Sequence, residues 1–382
     1  MLRDGQARVT QIELFYDLVY VFAVTQLARL LVDHLSVSGA VQTAVLLAMI
    51  WQVWVYTTWM TTYLDPERQA VRLALIVLML ASLGLAAAVP FAFESRGLLV
   101  AVLYLAIQVG RSLFTVWALH GDRLRMTFWR AMSWSLLAAI PLLAGAFVHG
   151  YARAGLWALA VGIELVGAAF GFATPFLGHA VTSDWTIAGS HFAERCQAFV
   201  LIALGETLVV SGATLSGLVG SEHAAGTRYT AFVTAFAGTV ALWWIYFDRA
   251  AADSAELIDR SDDPGRLGRS AFHWVHPLIV AGIIVGAAAD EVVLHDPSAR
   301  GVLSTSWLVV GGAALFLLGH AVFKAVLWRI VSWPRVVGAA VLLALLAVAP
   351  HVTALTLSVA ALVVVVAVAV ADRVMHPAAL VA

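Results

Sequence analysis

Apolar residues along the chain gather in runs of about 18 to 25, each long enough to cross a ~30 Å hydrocarbon layer as a helix. The pattern predicts spans over 12–32, 39–62, 69–89, 97–118, 128–149 and 154–174, then over 192–213, 228–248, 270–291, 303–326, 332–349 and 353–371. Charged or turn-forming breaks separate them, among them Asp65-Pro66-Glu67-Arg68, Gly121-Asp122-Arg123 and Asp262-Asp263-Pro264-Gly265. The alternating ten-residue strands of an outer-membrane barrel are absent. The expected fold is all-α, a polytopic membrane bundle of about 12 transmembrane helices.

Composition points the same way. Of 382 residues, 62% are apolar and 12% charged, against roughly half and a quarter in soluble domains. The formal net charge of -1 suggests no nucleic-acid partner, and the partner implied is the lipid bilayer. Cys196, the single cysteine, can form no intrachain disulfide and reads as packing. Arg3 and Arg8 precede the first run as in a signal peptide. Glu13 and Asp17 interrupt that run and no small-residue cleavage site follows, so a retained first span is expected.

The placement of basic residues sets an expected orientation. With the N-terminus cytoplasmic, sixteen Lys and Arg residues lie inside, Arg3, Arg8, Arg130, Arg195, Arg249 and Arg335 among them. Only Arg96, Arg153, Arg228 and Arg300 lie outside, and Arg29 and Arg111 fall within spans. Translocation of basic loops is disfavoured, so both termini are expected to be cytoplasmic and the number of spans even.

Residues 1–190 and 191–382 align as two six-span repeats. Glu13 matches Glu194, Trp54-Val55-Tyr56 matches Trp244-Ile245-Tyr246, Gly110-Arg111 with Phe114 matches Gly319-His320 with Phe323, and Arg130 matches Arg335. An even number of spans per half makes the repeats parallel, an arrangement found among transporters.

Ionisable groups inside spans cost several kcal/mol unless paired or hydrated, so each asks for a reason. Glu13, Asp17 and Tyr20 share one face of span 1. They read as a cation or proton site, although a first-turn acid such as Glu13 also suits the helix dipole. Span 7 opens with His191, Glu194 and Arg195, of which the last two could form an interfacial pair, and carries Glu206 near mid-membrane. Glu206 aligns with Thr25, one turn from Arg29, which makes Arg29 its candidate partner. Arg111 lies at the depth of Asp17 and is the expected partner of that acid. His320 replaces Arg111 in the second half and can change charge near neutral pH as arginine cannot.

Glu164, at the centre of span 6, has no counterpart in the Val/Ala run of span 12, which reads as lipid-facing. His273 and His276 form an H-x-x-H without the companions of a zinc motif, so no metal is expected. Trp54 and Trp244 are candidates to line a ligand path. Asp290 and Glu291 end span 9 on the outer side, where solvation accounts for them. No nucleotide loop, nucleophile elbow or dinucleotide fingerprint occurs, so neither catalysis nor a cofactor is expected.

The segment Glu13-Leu14-Phe15-Tyr16-Asp17-Leu18-Val19-Tyr20-Val21-Phe22-Ala23, and His191-Phe192-Ala193-Glu194-Arg195 through Ala203-Leu204-Gly205-Glu206, resemble the two signatures of the bacterial low temperature requirement protein A family. Gly110-Arg111, Trp243-Trp244-Ile245-Tyr246-Phe247-Asp248 and His273-Trp274-Val275-His276 extend the resemblance over nearly the whole chain. Tyr16 and Tyr20 replace the usual phenylalanine, and Cys196 stands where an apolar residue is usual. The resemblance implies a bacterial inner-membrane protein linked to growth at low temperature, and no particular reaction. With the buried charges it leads to an expected secondary transporter or ion-coupled permease for a small molecule or ion, with Glu13, Asp17, Glu194 and Glu206 as coupling or substrate sites and Arg111 as their charge partner. The alternative is a membrane sensor or scaffold whose buried ion pairs fix helix packing.

Overall fold

A computed structural model of the chain describes residues 9–180, 189–218, 225–247, 257, 258 and 260–375. Arg3, Arg8 and Arg249 of the basic census, and Asp248 of the family resemblance, lie outside the described residues. Every regular element among the described residues is helical. The first six are α1 (Gln11–Asp33), α2 (Val37–Tyr63), α3 (Gln69–Ala88), α4 (Gly97–Ala118), α5 (Leu124–Ala146) and α6 (Gly150–Ala169). The longer helices that follow are α7 (Gly189–Leu218), α8 (Ala225–Phe247), α9 (His276–His295), α10 (Leu303–Trp328), α11 (Trp333–Ala344) and α12 (Ala354–Met375), with a short helical turn at Pro264–Gly268.

Among the described residues, eleven helical segments are long and apolar enough to cross a membrane. The exception is α11, whose 12 residues rise only about 18 Å. It gives way to tight turns at Leu345–Ala347 and Ala349–His351. Pro350, with no amide hydrogen to donate, cannot carry a regular helix onward there. The segment feeding α9 is also irregular: Arg269–Val275 is π-helical, followed by Pro277, which withholds its amide from the preceding turn.

The chain packs as two compact units. One comprises residues 1–30, 37–199 and 255–269, the other 31–36, 200–254 and 270–382, so the division falls inside α7, beyond the repeat boundary expected at 190/191. In the first unit α4, α5 and α6 pack in sequence and α2 lies against both α4 and α6. In the second, α9 packs along α10, and α12 contacts α8, α10 and α11. Small residues allow the α9–α10 approach: a Cβ added at Gly282 would lie 2.5 Å from the Phe316 backbone, and one at Gly312 would lie 2.7 Å from that of Gly286.

Helix faces are arranged for a lipid solvent. On α3, Leu73, Ile76, Val77, Leu80 and Leu83 form an exposed stripe at helical spacing. On α4 the buried stripe carries Tyr104, Gln108, Arg111 and Thr115 while Leu98, Leu99, Val102 and Leu113 face outward. Such exposed apolar area is out of place in water and ordinary in hydrocarbon. Only 28% of the apolar window of α12 is buried, the least of the spans, as a lipid-facing helix requires.

Arg153, counted on sequence grounds among the outer loop charges, is instead buried. It donates to the carbonyls of Ala92, Glu94, Gly145, Ala146 and Val148, tying the ends of α3 and α5 to α6. Helix ends leave their last carbonyls without intrahelical partners, and the five-donor guanidinium fork answers that need.

Candidate functional site

The first unit encloses a charge cluster built from α1, α2 and the start of α7. Glu13 and Asp17 stand four residues apart on α1, as His191 and Arg195 do on α7, so each pair shares a helix face. All four side chains are at most 1% exposed. The two ladders meet rung to rung, His191 Nε2 lying 2.9 Å from Glu13 Oε1 and Arg195 Nε 3.0 Å from Asp17 Oδ2, each across 178 residues of chain. Equal offsets mean that the two helix segments run parallel at this point.

Arg195 grips Asp17 at two points, through Nε to Oδ2 and Nη2 to Oδ1, the geometry in which a guanidinium binds carboxylate most strongly. Its Nη1 donates to Glu13 Oε1 at 3.2 Å and Thr61 Oγ1 at 3.3 Å. The Trp54 indole donates to Asp17 Oδ1 at 2.7 Å, and its ring lies beneath the guanidinium at 5.8 Å. Glu13 also serves α1 itself, because its Oε2 accepts from the Thr10 backbone amide and hydroxyl, both at 2.9 Å. Thr10-Gln11-Ile12-Glu13 thus forms half of a capping box. The first-turn placement of Glu13 and its place in the cluster are two uses of one carboxylate. Beside the cluster, Tyr16 and Tyr20 join hydroxyls at 2.6 Å, and Thr57 and Ser82 extend the chain.

A second polar site lies in the same unit. Glu164 on α6 accepts from Tyr104, from Gln108 at 3.0 Å on both oxygens and from Ser135 at 2.9 Å. Arg111 is the cation whose field reaches it.

Several sequence expectations are corrected. Asp17 pairs with Arg195, not with Arg111, which lies over the Tyr56 ring at 5.1 Å and donates to the Val53 carbonyl at 3.4 Å. Depth alone had matched Asp17 to Arg111, but the neighbour that presents its cation to Asp17 is α7. Glu194 is exposed, about 100° around α7 from Arg195, and among the described residues it accepts a long contact from the Val9 amide at 3.4 Å. Arg195 is therefore no interfacial partner of Glu194. Arg29 is exposed on α1 in the first unit, and Glu206 is buried on α7 in the second. Trp244 is 41% exposed, with Arg373 over its ring at 5.8 Å, unlike the enclosed Trp54.

The second unit gathers histidine and aromatic rings. His276 meets the Tyr246 hydroxyl at 3.1 Å, and His320 lies 5.6 Å from Tyr246 and stacks on Phe323 at 5.8 Å. His273 is buried nearby in sequence on the π-helical turn. Asp290 is half-buried and lines a half-open pocket with α7, α8, α10 and α12 residues. The residues missed by sequence reading are weakly polar: Thr57, Thr61, Ser82, Tyr104, Gln108 and Ser135. A signal existed for two of them, since Tyr104 and Gln108 share with Arg111 the i, i+4, i+7 stripe of α4.

Eleven helices among the described residues, each long and apolar enough to cross a membrane, define a multi-pass helical membrane protein. Within that class the chain belongs to the bacterial low temperature requirement A protein (LtrA) family, whose model matches residues 8–370. It is 34% identical over 349 residues to the uncharacterized protein RA0937 of Rhizobium meliloti (strain 1021), an alignment covering 91% of this chain and 84% of that one. No solved structure matches the chain.

Proposed function

We propose that the protein is a proton-coupled secondary transporter of the bacterial cytoplasmic membrane, with Glu13, Asp17, His191 and Arg195 as its coupling site. The observation that carries the reading is an enclosed ladder in which two carboxylates meet a histidine and an arginine. His191 Nε2 lies 2.9 Å from Glu13 Oε1, beside the Arg195 guanidinium that binds both acids, so a group able to take up and release a proton near neutral pH sits inside a buried ion-pair network. In apolar surroundings an uncompensated charge is unfavourable, and a proton entering such a site is bound strongly enough to be coupled to a change of conformation. Glu206, buried farther along α7, is a second candidate carrier.

The orientation with both termini cytoplasmic rests on the basic census, and the two parallel repeats on the sequence alignment. The repeat is supported by one matched contact: Tyr56 packs on Arg111 in the first unit as Tyr246 packs beside His320 in the second. The proposed activity involves no covalent chemistry.

The test is solute-dependent proton movement in proteoliposomes carrying an internal pH dye, screened over small anions, cations and neutral solutes. The wild-type protein is expected to move protons with at least one solute class, and Asp17→Asn and His191→Gln are expected to abolish that coupling. Unchanged coupling in both variants removes the cluster from the mechanism. A second reading, a sensor or scaffold in which the cluster clamps α1 to α7, is favoured by its complete enclosure. It predicts that both variants lose thermal stability while no solute moves protons in the wild type.

A further inference from the structure

The second unit contains a cavity of about 90 Å³ among α7, α8, α9, α10 and α12. A bound water needs roughly 10–15 Å³ by such a measure, so the space suits several waters or one small organic molecule. Its polar wall is the Asp290 carboxylate with the hydroxyls of Thr207, Thr234, Thr239 and Ser358. Leu242, Ile283 and Val365 are among the apolar remainder.

This wall accepts hydrogen bonds and has few to give. Thr234 donates to the Thr230 carbonyl at 2.8 Å. Thr207 approaches the Leu204 carbonyl at 2.7 Å, Thr239 the Ala235 carbonyl at 3.1 Å, and the two hydroxyls lie 3.0 Å apart. Those three contacts would need three protons and the two hydroxyls own two, so one oxygen is left as an unfilled acceptor. Asp290 forms no hydrogen bond or ion pair among the described residues. A lone carboxylate at the edge of hydrocarbon is held at a cost that a donor-only, positively charged guest would offset.

We infer that this cavity is a binding site for a small organic ammonium ion, its N–H groups on Asp290 and the threonine oxygens and its hydrocarbon part on the apolar wall. A bare metal ion would need a closer cage of oxygens than one carboxylate and scattered hydroxyls in a space this size provide. The inference stands apart from the transport reading, since binding alone tests it.

The experiment uses full-length protein in lipid nanodiscs and titrates ethylammonium and butylammonium, with sodium at equal ionic strength and neutral butanol as comparators, read by calorimetry and thermal shift. Saturable ammonium binding is expected. Asp290→Asn should weaken it about tenfold or more, the loss of one charge-assisted contact. Gly238→Leu leaves every charge in place and should abolish binding, because a Cβ at Gly238 meets nothing within 4 Å and the larger side chain fills the cavity. Glu291→Gln, an adjacent acid outside the lining, should bind as the wild type does. The inference is overturned if butanol binds as well as butylammonium, if sodium alone binds through Asp290, or if ammonium binding is absent or survives both cavity variants. Should Asp290→Asn fail to fold, Gly238→Leu decides alone.

Discussion

Asp17 and Glu164 are both enclosed carboxylates on helices of the first unit, yet their surroundings differ in kind. Asp17 is held by a guanidinium at two points with an indole as third donor. Glu164 is held by a phenol, an amide and a hydroxyl, all neutral. The contrast separates two ways of keeping an acid in a membrane. A counter-charge makes the acid and its partner interdependent, because either one alone is an uncompensated buried ion. Neutral donors act more nearly as independent contributions, each worth an ordinary hydrogen bond.

The largest effect should therefore come from Arg195. Arg195→Met takes from Asp17 the guanidinium that grips it at two points, and we expect a loss of about 3–5 kcal/mol in unfolding free energy, measured by denaturant or thermal melts in lipid. Adding Asp17→Asn to that variant should restore part of the loss, since the ion and its partner then leave together. A double variant no more stable than Arg195→Met would show that the two side chains are not energetically one unit.

Glu164→Gln should have an intermediate effect. The amide keeps one acceptor oxygen but turns its NH2 toward donors that had pointed at a carboxylate oxygen, so one contact becomes donor against donor. The expected loss is about 1–3 kcal/mol. A loss as large as that of Arg195→Met would mean that Glu164 depends on a counter-charge after all, with Arg111 the group to test next.

The members of the charge cluster were legible in the sequence; their partners were not. Hydropathy and length placed all twelve helices, because twenty-residue apolar runs leave little freedom in a bilayer. Only α11 fell short, where Pro350 interrupts the run. Glu13, Asp17, His191 and Arg195 were each found by their charge inside apolar runs. Their pairing was missed because depth along a helix fixes one coordinate and says nothing of which helices are neighbours. The matching four-residue ladders, Glu13/Asp17 and His191/Arg195, were the available clue. The neutral donors were harder to find: a serine or threonine such as Ser135 or Thr61 barely changes the hydropathy of a span, and commonly bonds the carbonyl one turn back. Trp54 and Trp244, aligned on sequence grounds, also differ in surroundings, the first being enclosed and the second 41% exposed.

The smallest predicted effect sharpens the comparison furthest. Ser135 donates to Glu164 Oε1 at 2.9 Å, and that same oxygen also receives Gln108 at 3.0 Å. In Ser135→Ala the carboxyl keeps Tyr104 and Gln108, and alanine is smaller than serine only by the hydroxyl, so neither a void nor a stranded charge is created. The expected loss is about 1 kcal/mol, one neutral hydrogen bond with its acceptor still served. Combining Ser135→Ala with Arg195→Met should give the sum of the separate losses, because the hydrogen bonds of Ser135 and those of Arg195 end on different residues. A departure from additivity by more than about 0.5 kcal/mol would show that the two acids are coupled through the helices between them. Enclosure by neutral donors and enclosure by counter-charge would then be parts of one network spanning the unit.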